Sequence, residues 1–169
     1  MTGSVLSSFS IAKWLHCPPT TPYDFSAFRG FHVSGNLGDL LASDENDLCY
    51  NPGITLFPSE APITLDFFGT LPNDAPSELN VTIESSANTV GLEVTFSFWN
   101  FNTKSWDVVG TDTQSLNADT VRKFPGNPAD HVEPGTGEVR TRYEVRQVSF
   151  IFLFPWLDCV DHVFWTSTN

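Results

Sequence analysis

The sequence predicts an all-β fold: a two-sheet antiparallel β-sandwich, jelly-roll-like, with about nine strands. Three observations carry this. Apolar and polar residues alternate over long stretches: Leu79, Val81 and Ile83 with Asn80, Thr82 and Glu84, then Leu92, Val94, Phe96 and Phe98 with Glu93, Thr95 and Ser97. Period two puts one face inward and one in water. Turn signals fall at short intervals, at Asn51-Pro52-Gly53, Leu71-Pro72-Asn73-Asp74, Asn102-Thr103-Lys104 and Pro134-Gly135-Thr136-Gly137, which is the spacing of hairpins rather than of βαβ units. No long stretch shows helical periodicity. Strands apolar on one side bury that side against a second sheet.

In chain order, residues 1–22 are expected to form a poorly structured N-terminal extension. They lack alternation and carry Pro18, Pro19 and Pro22, and no charged start with an apolar core marks a secretory signal. The β-sandwich domain is expected over 23–169, with strands near 25–34, 48–51, 63–69, 78–86, 92–101, 105–111, 119–124, 138–148 and 159–167. Asp39–Asp47 has room for one short turn. The apolar run 148–156 reads as a strand buried on both faces or leading into an aromatic cluster, ended by Pro155.

A chain of 169 residues is one domain's worth and needs neither disulfide nor metal to bury a core. Its 20 acids against 8 bases give a net charge of −12. Nucleic-acid binding requires a basic footprint, so that class is excluded. No stretch of about 18 apolar residues predicts a membrane span. The acidity serves solubility by self-repulsion, and it would also attract a cation. Cys17, Cys49 and Cys159 are odd in number and widely spaced, neither a disulfide framework nor a zinc ribbon. Their simplest reading is buried small residues and one exposed thiol, with pairing left open.

Three clusters are candidates for chemistry. Asp39, Asp44, Asn46 and Asp47 crowd one short loop with the hard oxygens that calcium takes, without EF-hand spacing. The alternative is a solvated acidic turn in which Asp39 or Asp44 caps a short helix. Under a hydrolase reading, Asp161-His162 and Asp130-His131 are the candidate general-base groups, although neighbours on a strand point to opposite faces; the alternative is that they are satisfied structural residues. Trp99 takes the outward phase of its strand and is a candidate flat face for a sugar ring; the alternative is an ordinary core aromatic. Arg140 and Arg142, with Arg146, form a stripe that pairs with neighbouring acids or receives a ligand carboxylate.

Several phrases, in order, resemble an uncharacterised bacterial β-sandwich domain that recurs in large predicted extracellular proteins. They are Phe28-Arg29-Gly30, Ser34-Gly35, Asp39-Leu40 with Ser43-Asp44, Asn51-Pro52-Gly53, Ser59-Glu60-Ala61-Pro62, Ala87-Asn88, Pro134 to Arg140, Phe154-Pro155-Trp156 and the closing Asp161–Trp165 stretch. The resemblance implies a secreted or cell-surface module and no particular activity. Together these readings predict a noncatalytic, extracellular-type module that binds a ligand or carbohydrate, stabilised by calcium. The alternatives are a small calcium-dependent hydrolase of ester or lactone bonds, in which the ion polarises a carbonyl, and a structural spacer.

Overall fold

The computed structural model describes residues 17–57, 59–149 and 155–169. Ten strands form in chain order: β1 (Asp24–Arg29), β2 (Phe31–Ser34), β3 (Leu48–Asn51), β4 (Ile63–Thr70), β5 (Glu78–Ala87), β6 (Leu92–Asn100), β7 (Ser105–Thr113), β8 (Thr120–Gly126), β9 (Glu138–Gln147) and β10 (Asp158–Thr168). A 3-10 turn (Leu37–Leu40) and the four-residue helix α1 (Pro128–His131) complete them. The strands make two five-stranded sheets, ordered β1-β4-β9-β6-β7 and β2-β3-β10-β5-β8, and all their pairings are antiparallel. This is the expected two-sheet sandwich.

The inward phase of each sequence alternation becomes the core. Leu92, Val94, Phe96 and Phe98 of β6, Val139, Tyr143 and Val145 of β9, and Val81, Ile83, Val163 and Trp165 of the opposite sheet are all fully buried. One expected strand divides in two. At Gly30 the chain takes φ +122°, a left-handed conformation open to glycine and costly for other residues. The turn carries the chain from the first sheet into the second, so the stretch 25–34 becomes β1 and β2. Strand β8 runs two residues further than expected, through Pro125, which is tolerated because β8 is an edge strand with no outer neighbour to receive an amide.

Most of the expected N-terminal extension, residues 1–16, and the segment 150–154 of the apolar run lie outside the described residues. Thr20 bridges to Trp165 through two backbone hydrogen bonds of 2.9 and 2.8 Å. No helix among the described residues is long and apolar enough to cross a membrane.

Sheet register also settles the cysteine pairing that the sequence leaves open. Cys49 on β3 lies directly across from Cys159 on β10, and the two are joined as a disulfide. Cys17 is free. The bridge spans 110 residues of sequence, and a loop of that size restrains the unfolded chain by roughly 4–5 kcal/mol in the chain-entropy view. Cys49→Ser with Cys159→Ser is therefore expected to lower the melting temperature by at least about 5 °C. A dithiol reductant should do the same to the wild type and nothing further to the double variant, as read by calorimetry.

Candidate functional site

The outer face of the first sheet brings the three expected ligand-binding residues together. On β9 the inward residues Val139, Thr141 and Tyr143 force Arg140 and Arg142 outward, and on β6 the same parity exposes Trp99. Antiparallel register then places Arg142 between Asp66 of β4 and Ser97 of β6. Asp66 fixes the guanidinium through two hydrogen bonds of 2.7 and 2.9 Å, a bidentate fork. Ser97 is small, so the guanidinium reaches across it to Trp106 on β7, 4.3 Å from that ring's centroid. Phe28, 67% exposed, has the same guanidinium over its ring at 5.6 Å.

Trp106 in turn meets Trp99 edge-on, centroids 5.3 Å apart. Arg140 lies over Trp99 at 5.8 Å and over Phe101 at 5.4 Å. The result is a half-exposed platform of alternating rings and guanidinium planes, each contact contributing about 0.5–2 kcal/mol. Every arginine of the face has an acid partner: Arg29 with Glu60, Arg140 with Glu138, Arg142 with Asp66 and Arg146 with Glu93. Beside the platform runs a groove of about 310 Å³ lined by Glu93, Thr95, Val108, Thr111, Glu144 and Arg146. Burial raises the Glu144 carboxyl above its ordinary range, opposed chiefly by the nearby Arg142 charge.

The acidic loop is arranged differently from a simple four-ligand cluster. Asp39 caps the 3-10 turn, accepting from the Asn36 backbone at 2.8 Å and from its side chain at 2.9 Å. Asp44 accepts the Asn46 amide at 3.2 Å, and the Asn46 side chain is exposed. Asp47 turns inward, with Oδ1 buried and unpartnered. Its pKa is raised, first by burial and then by Asp119, Asp161, Glu45 and Asp44. Asp119 and Asp161 lie far from this loop in the sequence and join it only because the sandwich brings those segments together.

The candidate general-base pairs are placed apart. Asp161 is buried and accepts the backbone amides of Glu45 at 3.1 Å and Asp44 at 3.3 Å, whereas His162 lies on the other face beside Phe164. His131 is buried and stacks on Phe98, 5.1 Å between centroids. Its Nδ1 accepts the Asn127 amide, which leaves the proton on Nε2 facing Asp107 at 3.2 Å. Asp130 accepts from Asn102 and Asn127 and braces the β6–β7 turn against α1. No hydrogen bond joins either aspartate to the histidine that follows it among the described residues.

A buried polar network, unforeseen from the sequence, crosses one end of the sandwich. Asp158 accepts from Gln114 and, at 2.9 Å, from the Tyr143 hydroxyl. Ser85 links Tyr143 to Arg122. Gln114 follows the end of β7 and the others sit on strands that otherwise read as ordinary alternation, so only the three-dimensional meeting reveals them.

The comparisons bear on the fold. No protein-family model matches the chain, and no curated protein does. Among solved structures, the chain is similar to a mutant family 29 carbohydrate-binding module complexed with mannohexaose, at 7% identity and a TM-score of 0.50, over 89% of this chain and 92% of that one. It is similar to a truncated AlyQ with family 32 carbohydrate-binding module and alginate lyase domains, at 11% identity and a TM-score of 0.51, over 92% of this chain and 34% of that one. A family 29 module from Piromyces equi matches at 12% identity and a TM-score of 0.48, over 91% and 87% of the two chains. At such identities the likeness is one of fold.

Burial pushes the Asp158 carboxyl up to about 7, opposed by the Gln114 and Tyr143 hydrogen bonds and by Arg122. The unfolded chain loses this proton near its ordinary value, so between about pH 4 and 7 the folded state holds a proton that the unfolded state has released. The contribution of Asp158 to stability therefore falls as pH rises through that window, by roughly 1.4 kcal/mol per pH unit at most, and is level above it. The stability of wild type relative to Asp158→Asn is expected to drop between pH 5 and pH 8 in denaturant titrations. A difference that stays constant would assign the titration elsewhere.

Proposed function

We propose that this chain is a noncatalytic carbohydrate-binding module of extracellular, bacterial type, and that its ligand lies on the outer face of the first sheet. The observation that carries this reading is the stack of Phe28, Arg142 and Trp106 with Trp99 and Arg140 beside it. Flat rings held half-exposed by guanidinium planes present apolar faces of pyranose size, with charged donors at their edges. The similarity of the fold to a module solved with mannohexaose supports the same reading. Isothermal titration and affinity electrophoresis against polysaccharides test it. Trp106→Ala and Trp99→Ala are each expected to weaken binding at least tenfold while shifting the melting temperature by only a few degrees. Binding untouched by either change would move the site off this face.

Calcium at the acidic corner belongs to the same proposal. Asp47, with its unpartnered buried oxygen, and Asp44 supply the carboxylates, and Asp119 and Asp161 stand close enough to raise the Asp47 pKa. Mutual repulsion among these groups is what a divalent cation relieves. Asp39 and Asn46, the other two residues of the expected set, fit less well, since the first is engaged as a cap and the second is exposed. Calcium at a hundred times its dissociation constant is expected to stabilise the fold by about 2.7 kcal/mol, seen as a higher melting temperature. Asp44→Ala with Asp47→Ala should abolish the rise. A melting curve indifferent to calcium and to chelator would leave the loop a capped acidic turn.

A further inference from the structure

Glu144 is an acid on this face that forms no ion pair with an arginine among the described residues, although the charges of Arg142, Arg29 and Arg146 reach it and oppose the rise of its pKa. Its cross-strand partners are Thr64 on β4 and Thr95 on β6, neither of which carries charge. The arginines two residues before and after it on the same strand are bound elsewhere, Arg142 to Asp66 and Arg146 to Glu93. No described residue donates a hydrogen bond to its carboxylate. That carboxylate is half-buried and lines the groove beside the aromatic platform, where Thr95 and Thr111 supply hydroxyls and Val108 an apolar wall. Groove and platform are continuous along β6: Trp99 and Glu93 stand at opposite ends, six residues and about 20 Å apart at the rise of a strand.

We infer, resting on the glycan-binding reading, that this groove takes an uncharged glycan and that Glu144 selects it by accepting hydrogen bonds from neighbouring ring hydroxyls. An ionised carboxylate is acceptor-only, with two oxygens that match two adjacent donors, and a hydrogen bond to a charged acceptor is about twice as strong as a neutral one. A uronate or sulfated sugar meets the opposite situation. All four arginines are already neutralised, Glu144 and Asp24 are left over, and the whole chain carries −12, so an anionic ligand brings like charge to like charge. The arginine stripe, which by sequence alone invites a carboxylate ligand, is thereby turned to stacking rather than to anion capture.

The experiment measures affinity of the full chain for neutral mannan, galactan and xylan, for anionic polygalacturonate and alginate, and for cationic chitosan. At least one neutral polysaccharide is expected to bind, the two anionic ones not. Glu144→Gln, which keeps the shape, is expected to weaken the neutral ligand at least tenfold with an unchanged melting temperature, and Thr111→Val provides a second variant in the same groove. Preferred binding of an anionic polysaccharide or of chitosan, or an affinity unchanged in both groove variants, overturns the inference and leaves glycan binding standing. Binding of none of these polysaccharides by the wild type overturns the glycan-binding reading along with it.

Discussion

The two sheets are held in register by one large side chain. Trp165 of β10 is fully buried, its ring lies against Gly69 of β4, and its indole N–H donates to the Thr141 hydroxyl of β9 at 2.9 Å. A Cβ at residue 69 would stand 2.5 Å from the ring, inside any tolerable contact, so only glycine leaves room. A buried indole N–H without a partner would cost about 1–3 kcal/mol, so Thr141 must face inward. That single requirement sets the parity of β9. With Thr141 inside, Arg140 and Arg142 are outside. With Gly69 facing the core, Phe68 and Asp66 are on the outer face, where register brings them beside Arg140 and Arg142. The outward placement of Arg140 and Arg142 is a consequence of how the core closes.

The same strand carries the molecule's other polar investment. Tyr143, two residues beyond Thr141 and on the same inner face, sends its hydroxyl to Asp158. Its own pKa is driven well up by burial and by the neighbouring carboxylate, so it is held as a neutral donor. Burying Asp158 opposes folding unless its oxygens are satisfied, and Gln114 and Tyr143 satisfy one each. Arg122 joins the network through Ser85 and is anchored outward by Asp112 and the Thr113 carbonyl. Strands of both sheets meet there, so the network ties β9 of one to β5, β8 and β10 of the other. A slip of one residue in any of them would leave several polar groups unpaired in the core, which penalises wrong registers more sharply than apolar packing does.

Much of this was legible in the sequence because period two is a one-dimensional signal. The strands from residue 48 onward begin and end within a few residues of the alternation that foretold them, and the outward phase of Trp99, Arg140 and Arg142 followed from the inward phase of Phe98, Thr141 and Tyr143. What stayed hidden depends on which strands become neighbours. Phe28 and Trp106 sit 78 residues apart and meet only through Arg142, because β1 and β7 are opposite edges of one sheet and the strands between carry small or paired residues at that row. Cys49 and Cys159 become partners only when β3 docks on β10. Asp161 joins the acidic loop from 117 residues further along the chain than Asp44. Gly30 was visible as a residue but not as the crossing between sheets, since its positive φ is dictated by where the chain has to go next.

A face assembled in this way is rigid before anything binds. Asp66 holds Arg142 by both of its oxygens, Glu138 holds Arg140, and the rings of Trp99 and Trp106 brace each other, so the long side chains have already given up the rotamer freedom that binding would otherwise remove. Ordering such side chains costs roughly 0.5–1.5 kcal/mol each at the moment of association, and here folding has absorbed it. The arrangement also spends the arginines' charge within the protein. In the proposed glycan-binding reading, what remains for a ligand is area, planarity and hydrogen bonding, which vary with ring shape and hydroxyl orientation, rather than net charge, which varies little among neutral sugars and would discriminate poorly between them.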